Sequence, residues 1–451
     1  MDAKKAVLNN IVNLPTPVSH ALLKMNVFPH LVYGADYARY REFLTRNLMS
    51  YDATQLLINA VNAAIRDVPY YNKRYHGVEI RSVAEFDQTL ALIDKDTVLD
   101  NYDDFINPQV NLRNYDFGTT GGTSGKPMKL VAPKNRYVVE LATMHDMWSR
   151  VGYNFDVRAV IRNHRLSDDL IYTINPITRE VIFDGFRLDQ DYFESIYQVI
   201  KRMHVPFVHA YPSAAYEFSR FLRDRGYDPS FIRAFLSGSE NIFDYQIDLI
   251  ERRLGIRFFN WYGHSEKLIL AGYCQKGNLY HVEPTYGYFE LVDEENRMIR
   301  EPGSTGEMVG TSFHNPGMPL IRYRTGDFAE YVSDHCPACG RRVTILKNIK
   351  GRWSGDKIFN SDGSFVTTTA LNLHSELYSV INGMQYVQER KGDLRVLVVR
   401  SPEFRDGHEA ALYRHFREKL KPETTITIEY VDRLRRQPNG KFLHIISKVQ
   451  G

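Results

Sequence analysis

The chain has 451 residues, of which 43% are hydrophobic and 25% charged, a composition typical of a soluble globular protein. Its formal net charge is +3, from 57 basic and 54 acidic side chains, and this balance argues against nucleic acid or a membrane surface as the main partner. A chain of this length can bury a large core, and we expect it to form two or three domains.

Targeting and redox signals favour the cytoplasm. The first residues lack a basic segment followed by a continuous apolar stretch, so we expect no secretory signal. No apolar run is long enough to predict membrane insertion. The three cysteines are an odd number, which argues against a disulfide framework and fits a reducing compartment. We therefore predict a cytoplasmic protein.

The N-terminal part of the sequence is mainly helical in pattern, up to about residue 110. Apolar residues recur near the i, i+3, i+4 spacing over residues 37–48 and 53–66. This period places them on one face of a helix, so we predict amphipathic helices there.

The most informative segment is Thr119-Thr120-Gly121-Gly122-Thr123-Ser124-Gly125-Lys126-Pro127. Its backbone N–H groups and side-chain donors can converge on an anion, and glycine lets the backbone approach closely. The spacing excludes a Walker A loop, because Thr120 stands in place of the first glycine and Pro127 in place of the magnesium-binding Ser or Thr. Since Pro127 also disfavours a continuing helix and residues 128–131 are typical of a strand, we predict a phosphate-binding loop between strands.

From residue 115 to 350, β-rich runs alternate with amphipathic helices. Helices are predicted at 191–204 and 244–254, and buried strands at 205–210 and 257–260. This alternation predicts α/β layers around a largely parallel sheet. Ligands of such sheets lie beyond the carboxyl ends of the strands. The segments that follow two predicted strands should therefore border one cleft, and they are Ser237-Gly238-Ser239-Glu240 and Trp261 to Glu266.

Beyond Arg352 the pattern changes. β-branched runs at 393–399 and 425–431 flank a helical stretch at 408–420. This order predicts a compact α+β unit of about 100 residues at the C-terminus.

Five ordered segments resemble motifs of the adenylate-forming superfamily, which includes acyl-CoA synthetases, peptide-synthetase adenylation domains and luciferases. The glycine-rich loop is the first, and Tyr323-Arg324-Thr325-Gly326-Asp327 matches the superfamily's Tyr-Arg-Thr-Gly-Asp motif in full. Trp261-Tyr262-Gly263-His264-Ser265-Glu266 resembles the aromatic-Gly-x-Ser/Thr-Glu motif. Gly351-Arg352 with Asp356 resembles the hinge motif, and Pro438-Asn439-Gly440-Lys441 resembles the catalytic-lysine motif. Five matches in the superfamily's order are hard to obtain by chance.

Within the superfamily, the chain most resembles the phenylacetate-CoA ligase-like branch, which includes members associated with capsular polysaccharide biosynthesis. Val68-Pro69-Tyr70-Tyr71 resembles a signature of that branch, and the segment from Cys274 to Glu290 also resembles it.

The resemblance implies an α/β fold with a large N-terminal ATP-binding domain, whose β-sheets are flanked by helices, and a small mobile α+β C-terminal domain. We predict the N-terminal domain at residues 1–350, the hinge at 351–356 and the C-terminal lid at 357–451. Family hinges commonly read Gly-Arg-x-Asp, whereas this chain has Gly351-Arg352-Trp353-Ser354-Gly355-Asp356. Either Ser354 or Asp356 takes the pivot position.

The resemblance also implies a site for ATP and Mg²⁺. The residues assigned to ATP or AMP are Thr120, Gly121, Gly122, Thr123, Ser124, Gly125, Lys126, Gly238, Ser239, Glu240, Tyr262, Gly263, Ser265, Asp327 and Arg352. Glu266 offers the hard oxygen ligand that Mg²⁺ prefers. Asp327 can accept the ribose hydroxyls, Tyr262 offers a flat face to adenine, and Arg352 can donate to the ribose or α-phosphate side.

Catalysis of adenylate formation joins two anions, so it needs charge neutralisation and alignment. Lys441 is the lysine that would neutralise the charge building between the carboxylate and the α-phosphate. Glu266 and Thr123 complete the predicted catalytic set.

The cysteines favour a structural zinc site. Cys336-x-x-Cys339 has the spacing of a chelating pair, and Cys274 with His281 can supply the other two ligands of a tetrahedral Cys₃His set. The resembled branch often carries such a site. A redox pair or plain buried cysteines are the alternatives, and His335 competes with His281.

The predicted function is an AMP-forming ligase that activates a small carboxylic acid and passes the acyl group to a thiol or amine acceptor, with coenzyme A as the first choice. The alternatives are amide formation on an amine, adenylyl transfer to an acceptor, and a non-catalytic nucleotide-binding scaffold. The sequence identifies neither the acid nor the acceptor.

Overall fold

Helices form the N-terminal part of the chain, as predicted. The computed structural model describes residues 16–23, 29–119, 128–134, 136–351, 357–367, 371, 373, 377, 380–435 and 445–449. The first helices are α1 (Thr16–Leu23), α2 (Pro29–Tyr33), α3 (Ala35–Arg46), α4 (Thr54–Asp67), α5 (Pro69–Tyr75), α6 (Val83–Thr89) and α7 (Lys95–Asp100), followed by 3-10 turns at Tyr102–Phe105 and Leu112–Asn114. The helices predicted at 37–48 and 53–66 are α3 and α4, with small shifts at their ends.

The packing of α4 and α5 follows from their sequence. Leu57, Val61 and Ile65 are buried at helical spacing along α4. Pro69 occupies the first turn of α5, where its missing N–H is not needed. The hydroxyl of Tyr71 in α5 donates to the Pro319 carbonyl (3.1 Å) and accepts from the backbone N–H of Ile321 (3.0 Å). The helical part is thereby attached to the main sheet.

A two-stranded hairpin carries the predicted phosphate loop. β1 (Tyr115–Thr119) and β2 (Lys129–Pro133) pair antiparallel, with Thr119 opposite Lys129 at the loop end. The prediction that the loop lies between strands, and does not lead into a helix, agrees with these flanks. The loop residues 120–127 themselves lie outside the described part of the chain.

The main sheet has twelve strands among the described residues, in the order β11-β12-β13-β14-β10-β9-β8-β7-β6-β3-β5-β4. The strands are β3 (Arg158–Arg162), β4 (Tyr172–Asn175), β5 (Glu180–Asp184), β6 (Phe207–Ala210), β7 (Ala234–Gly238), β8 (Arg257–Gly263), β9 (Leu270–Cys274), β10 (Gly277–Val282), β11 (Gly287–Val292), β12 (Thr305–Ser312), β13 (Tyr323–Ser333) and β14 (Ile345–Lys350). Its helices are α8 (Arg136–Ser149), α9 (Gln190–Arg202), α10 (Pro212–Arg225) and α11 (Asp244–Ile247), which continues into a π-helical turn at Asp248–Arg253.

The strands β5, β3, β6, β7 and β8 are parallel neighbours. Helices α9, α10 and α11 connect β5 to β6, β6 to β7, and β7 to β8, so these units are β-α-β crossovers. Alternate residues of each strand enter different cores: Phe235 and Phe258 pack on one face, and Leu236 and Phe259 on the other. Both faces of this half are therefore covered, as a parallel sheet requires.

The prediction of a largely parallel sheet is wrong for the other half. From β8 onward every pairing is antiparallel, as is the pairing of β4 with β5 at the far edge. Residues 264–350 are described throughout and contain no helix. Without a helical crossover, consecutive strands can reverse direction through short turns, as β9 and β10 do. The α/β class with flanking helices is confirmed, and the sheet is mixed.

A small α+β domain follows, as predicted. Its elements are β15 (Lys357–Phe359), β16 (Phe365–Thr367), β17 (Ile381–Arg390), β18 (Asp393–Arg400), α12 (Asp406–Arg417), β19 (Thr425–Tyr430) and β20 (Ile445–Ser447). Four of its strands form a sheet in the order β19-β18-β17-β20, and β15 pairs with β16. The strands and helix predicted at 393–399, 425–431 and 408–420 correspond to β18, β19 and α12. The exact domain and hinge boundaries stay predictions.

Within the described ranges, no helix combines the length and apolar character needed to cross a bilayer.

Candidate nucleotide site and cysteine cluster

The predicted nucleotide motifs meet at the carboxyl ends of β7 and β8. Gly238 and Trp261 are register partners in these parallel strands. A Cβ on Gly238 would lie 2.7 Å from Cε2 of Trp261 and 2.8 Å from its carbonyl oxygen, so only glycine fits. The next residue, Ser239, has a φ of 72°, in the left-handed region. The strand therefore ends in a sharp turn that directs the backbone of 238–240 towards the cleft.

Glu240 has a structural contact that its motif did not reveal. Its Oε2 accepts a hydrogen bond of 3.0 Å from the backbone N–H of Ser213, in the first turn of α10. A carboxylate at a helix N-terminus is favourable because the first N–H groups have no partner within the helix. The side chain of Glu240 thus fixes the turn against α10, which leaves backbone groups of the turn as the predicted contacts to adenine.

Tyr262 and Asp327 are joined directly. The Tyr262 hydroxyl donates a 2.6 Å hydrogen bond to Oδ2 of Asp327, which lies in β13. Burial, with the charge of Asp327 next, raises the pKa of Tyr262 well above its usual value, so this hydroxyl stays protonated and remains a donor. Two residues predicted to contact adenosine therefore lie side by side. Their contact also shows that Tyr262 orients the carboxylate predicted to bind the ribose.

Glu266 is fixed by two neighbours. His264 Nε2 accepts from the backbone N–H of Ile269 (3.1 Å), so its ring proton is on Nδ1, which donates to Oε2 of Glu266 (3.1 Å). The Tyr323 hydroxyl donates to Oε1 of Glu266 at 3.2 Å. The side chain of Glu266 is only 6% exposed. A carboxylate oriented by two donors beside the predicted nucleotide residues is suited to hold Mg²⁺ together with substrate phosphates.

The other residues of this motif are arranged differently. Gly263 ends β8 where a Cβ would lie 2.8 Å from Cδ2 of Leu270, so the close packing requires glycine. Ser265 is exposed at the rim. Both lie next to the cleft, and their ATP contacts stay predictions.

The four predicted zinc ligands are brought together. One ligand atom from each of Cys274, His281, Cys336 and Cys339 lies within 4.8 Å of all the others. Sγ of Cys336 and Cys274 are 3.7 Å apart, and Sγ of Cys339 is 3.9 Å from Nε2 of His281. His281, and not the exposed His335, belongs to this cluster. The three cysteines are free thiols.

The surroundings of the cysteine cluster suit a metal. Burial, together with Arg150 and Arg341, lowers the pKa of His281 to about 3, so its imidazole is neutral, as metal binding requires. Three thiol groups and one imidazole match the donor preference of Zn²⁺, and four protein ligands leave no open position for a catalytic water. The donor set therefore fits a structural zinc ion.

The chain is similar to several known proteins. Residues 358–448 match the family model described as the CapK C-terminal domain. The chain is 21% identical over 383 residues to Protein CapK of Staphylococcus aureus, covering 82% of this chain and 82% of that protein. It is 27% identical over 161 residues to phenylacetate-coenzyme A ligase of Pseudomonas putida, covering 34% of this chain and 36% of that ligase.

A solved structure shares the fold. 2-Hydroxyisobutyryl-CoA ligase, in complex with 2-HIB-AMP and CoA in the thioesterification state, has a TM-score of 0.56 at 16% identity, covering 87% of this chain and 88% of that one. Together these similarities support the adenylate-forming superfamily, and within it the phenylacetate-CoA ligase-like branch with CapK.

Several motif residues of the superfamily fall outside the described part of the chain: Thr120, Gly121, Gly122, Thr123, Ser124, Gly125, Lys126, Arg352, Ser354, Asp356 and Lys441. Their neighbours are described. The backbone N–H of Gly351, just before Arg352, donates to Oδ1 of Asn241 (3.3 Å), next to the 238–240 turn. On either side of Lys441, Gln385 in β17 exchanges two hydrogen bonds with the backbone of Arg435, and β20 pairs with β17.

One cleft residue was missed from the sequence. Arg162, the last residue of β3, contacts His209 of β6 and Ser239 of the β7 turn. Ser239 is a predicted nucleotide contact, whereas no role is predicted from the sequence for Arg162 or His209. The available signal was a basic residue at the end of a buried strand, but only the strand order brings these three residues together.

Proposed function

We propose that the protein is an ATP-dependent, AMP-forming acid ligase. The observation that carries the proposal is the contact between two motifs, in which the Tyr262 hydroxyl binds Asp327 and the Tyr323 hydroxyl binds Glu266. These contacts join the aromatic-Gly-x-Ser/Thr-Glu motif to the Tyr-Arg-Thr-Gly-Asp motif, beside the turn at 238–240. The similarity of the chain to phenylacetate-coenzyme A ligases supports the same proposal.

In the first step, a carboxylate oxygen of the acid attacks the α-phosphorus of ATP. The bond between the α-phosphorus and the bridging oxygen breaks, and pyrophosphate leaves. The glycine-rich loop at 120–126 would hold the β- and γ-phosphates, Asp327 the ribose, and Lys441 the charge that builds between the two reactants. Mg²⁺ bound by Glu266 would neutralise phosphate charge.

In the second step, the acceptor attacks the acyl carbon and loses its proton to solvent, the bond between that carbon and the phosphate oxygen breaks, and AMP leaves. Coenzyme A is our first choice of acceptor. The similar phenylacetate-coenzyme A ligase is named for this acceptor, and the solved ligase with the same fold has it bound. Movement of the C-terminal domain about residues 351–356 would change the site between the steps. An amine acceptor and adenylyl transfer are the alternative outcomes of the same chemistry.

Zinc at Cys274, His281, Cys336 and Cys339 is proposed as structural. It would connect the ends of β9 and β10 to the turn after β13. Asp327 lies in β13 itself. Stabilising this region stabilises the site without a chemical role for the metal.

The test is ATP–pyrophosphate exchange with a broad panel of carboxylic acids, followed by mass spectrometry of products formed with coenzyme A or candidate amines. Acid-dependent exchange with acyl-CoA and free AMP is the expected result. An amide with free AMP would select the amine acceptor, and a product that retains AMP would select adenylyl transfer. ATP binding without exchange for any acid would identify a nucleotide-binding scaffold and overturn the proposal.

A further inference from the structure

A cationic side chain that has no acidic partner among the described residues lies at the carboxyl end of the parallel strands. Nη1 of Arg162 donates to Nε2 of His209 (2.6 Å), and its Nη2 donates to Oγ of Ser239 (3.0 Å). The guanidinium carbon lies 4.3 Å from the ring centroid of Tyr211. Arg162 is half-buried at the end of β3, and with the Trp261 ring as a further contact its orientation is fixed by four neighbours.

The positive charge of Arg162 is not compensated. In the part of the chain that the structure describes, no carboxylate lies within ion-pair distance of it, although two nearby arginines have such partners. Arg158, on the same strand, pairs with Glu180, and Arg165 lies 3.8 Å from Asp184. Of these three arginines, only Arg162 has no carboxylate within ion-pair distance among the described residues.

His209 cannot supply the missing negative charge. Because an arginine only donates, His209 accepts on Nε2 and carries its proton on Nδ1, so the ring is neutral. Burial, together with Arg162 and Arg158, lowers the pKa of His209 well below its ordinary value. His209 therefore leaves the charge of Arg162 in place, and a partly desolvated charge of this kind is stabilised by an anionic ligand.

Arg162 lies on a different strand from the residues predicted to bind the ribose, on the side of the site where we expect the acid. It lies on β3, whereas Tyr262 and Asp327 lie beyond β7, on the opposite side of the Ser239 turn, in the order β13-β14-β10-β9-β8-β7-β6-β3. Neighbouring strands are about 4.8 Å apart, so the backbones of β3 and β8 are separated by roughly 14 Å. The Arg162 side chain spans part of this distance, because its guanidinium carbon lies 5.6 Å from the ring centroid of Trp261 in β8. A ligand that reaches both would be an acid joined to the nucleotide at one end and bound to Arg162 at the other.

We propose that Arg162 determines specificity by binding a second anionic group of the acid, at the end remote from the carboxylate that reacts with ATP. This inference rests on the proposed ligase function and adds the substrate class: acids that carry a carboxylate, sulfate or phosphate besides the reacting carboxylate. A guanidinium has five N–H donors in a planar fork, more than its contacts with His209, Ser239 and Tyr211 use, and the fork matches an oxyanion.

The first test measures binding without turnover. Thermal denaturation and calorimetry would compare α,ω-dicarboxylates of increasing length, and aromatic dicarboxylates, with monocarboxylates of the same carbon skeleton at constant ionic strength. The wild-type chain should bind at least one dicarboxylate about 10- to 100-fold more tightly than its match. Arg162→Gln, which keeps an amide donor but removes the charge, should abolish this preference, and Arg162→Lys should keep part of it.

The matched control is Arg223→Gln, on the exposed part of α10 where Arg223 pairs with Asp224, and it should leave the preference unchanged. A variant that does not fold would be recognised by its loss of ATP binding. Equal binding of dicarboxylates and monocarboxylates by the wild-type chain throughout the series would overturn the proposal.

The second test separates the two sources of an oxyanion at Arg162. In the exchange assay, Arg162→Gln should lower kcat/KM about 10- to 100-fold for the doubly charged acid and leave the KM for ATP within about 3-fold. A large rise in the KM for ATP with an equal loss for all acids would assign Arg162 to the nucleotide phosphates and overturn the acid assignment. If no acid supports exchange, the ligase proposal fails, whereas the binding comparison still decides whether the anion subsite exists.

Discussion

The hydroxyl of Tyr262 donates a hydrogen bond of 2.6 Å to Oδ2 of Asp327, and so links the end of β8 to β13. These strands are not neighbours, because β9, β10 and β14 lie between them in the sheet. The bond therefore joins side chains of two strands that do not pair with each other. As a result, the orientation of Asp327, the predicted ribose contact, depends on Tyr262, the predicted adenine contact.

Replacing Tyr262 by Phe tests this link. The change removes one charge-assisted hydrogen bond, of about 1.5–3 kcal/mol, from Asp327 and keeps the aromatic face. We expect the KM for ATP in the exchange assay to rise about 10-fold, with a smaller change in kcat. Tyr245→Phe is the control, since the Tyr245 side chain is exposed. An unchanged KM for ATP would show that the bond does not position the nucleotide.

His264 is expected to orient Glu266 through its Nδ1 proton. In His264→Ala this donor is lost, so Mg²⁺ should bind more weakly and the concentration of Mg²⁺ that gives half-maximal exchange should rise about 10-fold. His264→Asn places an amide N–H near the position of Nδ1 and should recover part of the loss. Mg²⁺ titrations of both variants provide the measurement. If Asn and Ala behave alike, the histidine contributes only packing.

Gly238 is expected to be intolerant of any side chain. In Gly238→Ala the new Cβ would meet the Trp261 ring and carbonyl, and overpacking of this kind costs about 1–3 kcal/mol of unfolding free energy. Gly407→Ala is a matched control in α12, because a Cβ there has no heavy atom within 4 Å, and it should be neutral or slightly stabilising. Denaturant unfolding compares the two. Equal stability of both variants would argue against the close contact.

The sequence was sufficient for features that depend on local pattern. The helices α3 and α4, the β18-α12-β19 unit and the hairpin around the glycine-rich loop follow from periodicity and turn residues near one another in the chain. The antiparallel half of the main sheet was missed because local pattern does not determine which strands pair. The side-chain contact of Glu240 with Ser213 and the contacts of Arg162 with His209 and Ser239 were missed for the same reason, since these partners are adjacent only after the strands are ordered.

The cysteine cluster predicts about one zinc ion per chain. Cys336→Ser and Cys274→Ser should each lower the bound zinc and the melting temperature, because metal binding contributes to folding free energy. Metal analysis and thermal denaturation provide the measurement, and His335→Ala serves as the control, since His335 is outside the cluster. Loss of zinc from Cys336→Ser but not from Cys274→Ser would show that the ligand set is wrong.

Lys441 carries the sharpest prediction about chemistry. A lysine there would neutralise negative charge that develops between the carboxylate and the α-phosphate, and that charge is absent from bound ATP. Lys441→Ala should therefore reduce exchange by about 100-fold or more while ATP binding changes less than about 3-fold. Lys448→Ala is the control, because Lys448 is an exposed lysine that lies 3.5 Å from Glu389 at the end of the same segment. Exchange at the wild-type rate in Lys441→Ala would show that Lys441 has no part in the mechanism. A parallel loss of ATP binding would show that Lys441 contributes to binding ATP in the ground state.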